Sequence, residues 1–379
     1  GVLKSLEEQG VMIDAIAGTS MGAVVGGLYA AGYTVAELEQ LATELDWQQA
    51  LSDAPPREDI PFRRKQDDRD FLVKQKLSFR DDGSLGLPLG VLQGQNLALL
   101  LEKLFARAGA VEDFDQLPIP FRAVAADIAT GETVVFSAGH LALAVRASMS
   151  IPAVLTPVEI DGRLLVDGGI SNNIPVDIAR QMGVDRVIVV DIGSPLAATE
   201  SLQTVFHILN QSVALLTRRN SEAQLATLQA QDILVQPPLA GFGVTDFSRA
   251  QDMIDTGYRA TQSLQWRFAD VAQPLPEQKK IASNTKKMKK APLITSIKVR
   301  NTSKVGDEVI RYYIRQPLNE PLDIEKLQKD MGTLYGLEYF ERVEYRLQPQ
   351  KGGNALVIRA TDKRSGTDYL RLGLNLSDD

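Results

Sequence analysis

Hydrophobic and polar positions along the 379-residue chain change period several times. A helical pattern from the first residues stops at Gly10, and an apolar stretch over 11–17 reads as a strand. A run of small residues then follows, with Gly22, Ala23, Gly26, Gly27, Ala30 and Ala31. Such a helix has little side-chain bulk and can approach a sheet closely. Thr34 with Glu37 three positions on predicts a capped helix to about residue 44. Leu97, Leu100, Leu101 and Leu104 stripe a helix over 95–106, and strands are expected over 121–127 and 133–136. Asp161-Gly162 between two short apolar runs is a strong hairpin signal. The run over 187–191 is apolar throughout, which predicts a central parallel strand buried on both faces. Long helices over 202–229 and 247–269 flank a strand over 233–236. This alternation predicts an α/β domain over 1–275, with helices on both faces of a mainly parallel sheet.

The pattern then changes. Residues 276–292 are rich in lysine and proline, with six lysines from Lys279 to Lys290, and read as a linker. Residues 53–70 have a similar bias to proline and charge and read as an exposed excursion. Over 293–363 the expected order is strand (294–300), helix (307–315), helix (323–334), strand (340–348) and strand (355–362). Asp323 starts the second helix and Gly336 stops it. In the tail, 366–379, Leu370, Leu372, Leu374 and Leu376 alternate with polar residues or glycine. That suits a strand with one apolar side, in a core or on the lipid face of a barrel.

Composition narrows the functional classes. With 44% hydrophobic and 23% charged residues the chain is an ordinary globular one. A net charge of -7 argues against a general nucleic-acid binder, which needs a basic footprint. There is no cysteine, so disulfides, thiolate catalysis and cysteine zinc sites are excluded. The sequence implies no metal and no cofactor, and no apolar run is long enough for a transmembrane helix. The chain opens inside a helical pattern, which reads as a start that lies further upstream.

The candidate chemistry begins at Gly18-Thr19-Ser20-Met21-Gly22, between the first strand and the small-residue helix. A nucleophile elbow has this order, with Gly18 and Gly22 permitting the bend and Ser20 exposed at its apex. A bare Gly-x-Ser-x-Gly is also compatible with a flexible loop, and the flanking pattern favours the elbow. Ser20 would then stand at a helix N-terminus with Met21 N–H as an oxyanion donor. A serine nucleophile needs a base. His140 reads as a residue at a helix entrance, and His207 sits inside a helix with no motif around it. Asp167, followed by Gly168-Gly169 after the hairpin, has the better context for a Ser-Asp dyad. Spacing alone leaves Asp167 equally readable as a structural Asp-Gly turn.

These residues support a resemblance. Gly18 to Gly22, Asp167-Gly168-Gly169, and Arg146-Ala147-Ser148-Met149-Ser150-Ile151-Pro152 occur in the order seen in patatin-like phospholipases, and the likeness covers residues 1 to about 270. The resemblance implies a three-layer α/β domain that hydrolyses lipid acyl esters through Ser20 and Asp167 without a catalytic histidine. It also implies that the remaining oxyanion donors, on a glycine-rich loop, lie upstream of Gly1. Residues 293–363 resemble a polypeptide-transport-associated (POTRA) domain, notably at Leu334-Tyr335-Gly336 and Phe340, and the tail resembles a first outer-membrane barrel strand. That order is similar to bacterial fused patatin-like autotransporters of type V secretion. It implies a phospholipase A-type enzyme at the outer membrane or cell surface, partnered by phospholipid, by its own barrel and by a second copy in a homodimer. A lysophospholipase or carboxylesterase, and a non-catalytic lipid-binding module, remain open. Residues 239–247 are a candidate lid, although a loop packed against the core is the favoured reading.

Overall fold

A computed structural model of the chain describes residues 1–53, 75–79, 85–86, 90–193, 196–239, 241–243, 246–272, 291–362 and 369–372. Most of the charge-rich excursion and of the lysine-proline linker lies outside these residues, as do parts of the 239–247 stretch and of the tail. In chain order the first elements are α1 (Val2–Glu8), β1 (Ile16–Thr19), α2 (Met21–Ala30), α3 (Val35–Glu44), β2 (Gln75–Phe79), β3 (Leu85–Gly86) and α4 (Gln95–Phe105). Then come β4 (Phe121–Asp127), β5 (Thr133–Phe136), α5 (Leu141–Ser148), β6 (Val158–Ile160), β7 (Arg163–Asp167), α6 (Val176–Gln181), β8 (Ile188–Val190), α7 (Val205–Leu225), β9 (Ile233–Val235) and α8 (Ala250–Gln262). The last are β10 (Leu293–Asn301), α9 (Asp307–Tyr313), β11 (Glu320–Pro321), α10 (Ile324–Gly336), β12 (Phe340–Gln350), β13 (Gly353–Asp362) and β14 (Tyr369–Leu372). They divide into two units: Gly1–Trp47, Val111–Pro152 and Pro157–Lys290 in the first, and Gln48–Ala110, Ala153–Thr156 and Ala291–Asp379 in the second.

The first unit is an α/β domain built around β4, whose residues Ala123 to Ala126 are fully buried. β5 pairs antiparallel with residues 123–126 of β4. Those residues therefore have only one edge left, and β1 and β7 share it end to end. β1 runs parallel to β4 as far as Thr19 opposite Val124, and β7 runs antiparallel with Asp167 opposite Ala125. The two strand ends meet at consecutive positions of β4. α2 can lie close over β1 because it is made of small residues: a Cβ on Gly26 would collide with the Ile16 side chain. The helix begins on Thr19-Ser20, so its packing fixes the turn that carries Ser20.

The sheet differs from the expected one. Among the described residues only β1 and β4 pair in parallel in this sheet, and the β4–β5, β4–β7 and β6–β7 pairs are antiparallel, so it is mixed. The apolar run near 187–191 forms β8, which pairs in parallel with β9 in a separate two-stranded sheet, and Val190 is exposed. Its continuous hydrophobicity reflects packing on both sides: Val187 and Val189 pack with Ile174 and Val176, and Ile188 packs against the separate core of Leu6, Val11, Ile233, Val235 and Phe268.

The second unit carries the strand-helix-helix-strand-strand order read from residues 293–363. Its four-stranded sheet has the order β11-β10-β13-β12, with α9 and α10 packed through Ile310, Leu327, Met331 and Leu334. β10 and β13 are parallel, while β12 and β13 form a long antiparallel hairpin. Leu99 from α4 joins the same core, whereas Leu100, expected in the buried stripe, is half-buried. The alternating tail contributes β14, which pairs antiparallel with β2, and β2 pairs with β3 in an open three-stranded sheet. Among the described residues no sheet closes into a barrel, and no helix is long and apolar enough to cross a membrane.

Candidate active site

Ser20 takes φ 55° and ψ -124° at the start of α2. A residue with a Cβ adopts such a conformation only when its surroundings impose it. Gly18 is the steric reason the turn closes, because a Cβ there would overlap the backbone of Gly22 and Ala23. Gly22 differs from expectation: a Cβ on it would meet nothing within 4 Å. The bend does not need that glycine, which is exposed.

The strand register described above places the candidate base. Ser20 Oγ donates to Asp167 Oδ2 at 2.6 Å, across 147 residues of sequence. The other carboxylate oxygen accepts the Gly169 N–H at 2.7 Å, and Asp167 N–H donates to Ser150 O at 2.9 Å. Asp167 is only 6% exposed. Burial pushes its carboxyl up to about 6, against the lowering effect of the hydrogen bonds from Ser20 and Gly169. An aspartate so placed is a far better proton acceptor at neutral pH than an exposed one. Gly168 packs where a Cβ would collide with Val124 O, so the Asp-Gly-Gly turn closes directly against β4.

Helix α7 holds the turn from the other side. Asn220 Nδ2 donates to Gly169 O at 2.7 Å, and Asn220 Oδ1 accepts the Asn173 N–H at 2.8 Å. Sequence reasoning gave Asn220 no role, since one asparagine inside a long polar helix carries no local signal. The segment before Pro152 is the other support. Ser148 Oγ accepts the Ser20 N–H at 2.9 Å and donates to Val124 O at 2.5 Å. Buried Arg146 donates to Ser150 Oγ at 2.6 Å.

The histidines act locally. His140 Nδ1 accepts the Leu143 N–H and caps α5, and His207 Nδ1 accepts the Gln203 N–H at the start of α7. Met21 N–H points from the first turn of α2, where helix donors have no intrahelical partner, and the Ser20 N–H is already taken by Ser148. Among the described residues no group of acidic or histidine side chains has a metal-binding arrangement. A cleft of about 630 Å³ lined by Leu234, Gln236, Thr256 and Arg259 contains neither Ser20 nor Asp167.

A buried aspartate bonded to a serine on a tight strand-to-helix turn, in an α/β domain, describes a candidate acyl hydrolase. In comparison with known proteins, residues 1–180 match patatin-like phospholipase. An uncharacterized NTE family protein of Mycobacterium tuberculosis is 36% identical over 193 residues, 51% of this chain and 44% of its own. Human patatin-like phospholipase domain-containing protein 6 is 28% identical over 287 residues, 68% of this chain and 18% of its own. Lysophospholipase NTE1 of Pyricularia oryzae is 25% identical over 282 residues, 68% of this chain and 17% of its own. The chain thus spans less than half the length of each of these relatives.

Proposed function

We propose that this protein hydrolyses fatty-acyl esters of phospholipids through Ser20 and Asp167. The observation that carries the reading is the 2.6 Å bond from Ser20 Oγ to a buried carboxylate. In the first step Ser20 Oγ bonds to the ester carbonyl carbon while its proton passes to Asp167. The carbonyl oxygen becomes an oxyanion, with Met21 N–H at the α2 N-terminus as one donor. Collapse of this intermediate breaks the bond to the leaving alkoxide, which takes the proton from Asp167, and leaves an acyl-serine. Asp167 then accepts a proton from water as the water attacks that acyl group, and its return to Ser20 Oγ releases the fatty acid.

Helix α7 supports a lipid surface as the partner. Val205, Ile208, Leu209, Leu215 and Leu216 recur at helical spacing on it and are between 46% and 75% exposed. Residues 205–217 carry no formal charge, with His207 neutral, and Arg218 and Arg219 follow. The same helix holds Gly169 through Asn220, so an apolar face dipping into a bilayer would bring the dyad to its substrate. A lysophospholipase activity is the second reading, favoured by the name of the Pyricularia relative. Display at the outer membrane through a following barrel is supported only by the element order over 293–363 and the alternating tail.

The test is hydrolysis of position-labelled phosphatidylcholine and of lysophosphatidylcholine, read by mass analysis of products. Ser20→Ala and Asp167→Asn should each lower turnover by about 10³-fold or more while the fold is kept. Retained turnover in a folded Ser20→Ala variant would overturn the nucleophile.

A further inference from the structure

The β1–β4 ladder contains an irregularity exactly one rung long that the dyad itself does not explain. Ile16 N–H donates to Pro120 O at 2.9 Å, and parallel pairing repeats every two residues. Two repeats later the donor is Ser20 N–H and the acceptor Val124 O. They do not bond to each other. The Ser148 hydroxyl stands between them, accepting from Ser20 N–H and donating to Val124 O.

We infer that Ser148 is a positioning residue for the reaction at Ser20, a hydroxyl spliced into the strand ladder that holds the nucleophile out of the sheet. The Ser20 backbone has to leave the strand to reach φ 55°, and leaving would strand a buried N–H and C=O. A hydroxyl both accepts and donates, so one fully buried side chain satisfies the two groups at once. It also fixes how far Ser20 rises above β4. The same short segment holds the partner, because Ser150 O, two residues on, accepts Asp167 N–H. Gly168 packs against the Val124 carbonyl that Ser148 engages. Nucleophile and base are therefore referenced to one strap, residues 148–150, and their separation depends on it. This role rests on the dyad reading given above.

Loss of the hydroxyl lets Ser20 shift relative to Asp167, and misplacement on the order of 1 Å can cost about 10²-fold in rate. The test uses the full-length protein with Ser148→Ala, Ser148→Thr and Ser148→Cys. Ser5→Ala removes a buried hydroxyl from α1 and serves as the control for burial alone. Readouts are kcat and KM on a short-chain p-nitrophenyl ester, the rate of fluorophosphonate labelling at Ser20, and urea denaturation. Ser148→Ala should lower kcat and labelling together by about 10²-fold with KM within about twofold of wild type, and Ser148→Thr, which keeps the hydroxyl, should recover at least about tenfold of that loss. Ser5→Ala should leave both rates unchanged. If Ser148→Ala does not fold, the nearly isosteric Ser148→Cys decides, with a loss of at least about tenfold expected from its weak hydrogen bonding. Wild-type rates in a folded Ser148→Ala or Ser148→Cys variant would overturn the role of Ser148. A wild-type protein that does not label at Ser20 would instead count against the dyad.

Discussion

Thr19 and Asp167 stand opposite consecutive residues of one strand, Thr19 against Val124 and Asp167 against Ala125. One comes up the edge of β4 in parallel and the other comes down it antiparallel, so both chains must turn away where they meet. The candidate dyad is a consequence of that meeting: Ser20 is the first residue after one strand, and Asp167 the last of the other. Rigid strands hold such a pair more precisely than loops do.

Burial of Asp167 sets a pH dependence with a definite sign. Its carboxyl titrates at about 6 when folded, above the ordinary value near 4, so the folded protein binds the extra proton between these values. Stability is undiminished below about pH 4, falls as pH rises to about 6, and is lower by up to about 3 kcal/mol above that. Asp167→Asn removes the term, so its urea stability relative to wild type should rise between pH 4 and 7 and stay level above. Activity runs the opposite way, since the base must be ionised: kcat/KM should rise through an apparent pKa near 6. Parallel denaturation and rate profiles check both halves.

The two glycines that flank Ser20 should respond differently. Gly18→Ala drives a Cβ into the backbone of Gly22 and Ala23, which neither chain segment can yield without opening the elbow. It should abolish fluorophosphonate labelling and cost about 3 kcal/mol or more. Gly22→Ala places its methyl in open space and adds helix propensity, so stability should hold or rise by up to about 1 kcal/mol. Any loss in that variant should appear in KM for long-chain substrates, because Gly22 is an exposed residue two positions from the nucleophile. Labelling rates, KM values and urea midpoints for both variants check this.

Much of this arrangement is legible in the sequence for local reasons. The elbow shows in residue sizes over 18–31, the hairpin before Asp167 in Asp161-Gly162, and the α9–α10 and β12–β13 order in capping residues and alternation. What is not legible is pairing. Strand and hairpin signals say that 121–127 and 163–166 are strands, yet not that β7 meets β4 antiparallel at Ala125, and the expected mainly parallel sheet fails on that point. The apolar run at β8 looks central, yet among the described residues it pairs only with β9, and its last residue, Val190, is exposed. Ser148 lies in a recognisable segment, but its bond to Ser20 depends on a register that no neighbouring residue encodes. Gln95 hides a function in the same way, as a polar residue opening a leucine-rich helix.

Gln95 is 1% exposed and uses both ends of its amide on one residue of β12. Its Nε2 donates to Val343 O at 2.7 Å, and its Oε1 accepts the Val343 N–H at 3.0 Å. Among the described residues β12 is the edge of the four-stranded sheet, so the amide takes the place of a ladder rung on its open side and satisfies buried backbone groups of Val343. Gln95→Ala leaves that N–H and C=O without partners and should destabilise the second unit by about 1–3 kcal/mol. Gln95→Glu should be worse than Gln95→Ala, because a carboxylate can still accept from Val343 N–H but brings an uncompensated charge against Val343 O in a buried site. Gln95→Met fills the space without the polar ends and should resemble Gln95→Ala. Hydrogen exchange at Val343, protected in the wild type and fast in Gln95→Ala, separates this local effect from general loss of stability. Unchanged protection in a folded Gln95→Ala variant would show that α4 covers the edge by packing alone, through Leu99 and its neighbours.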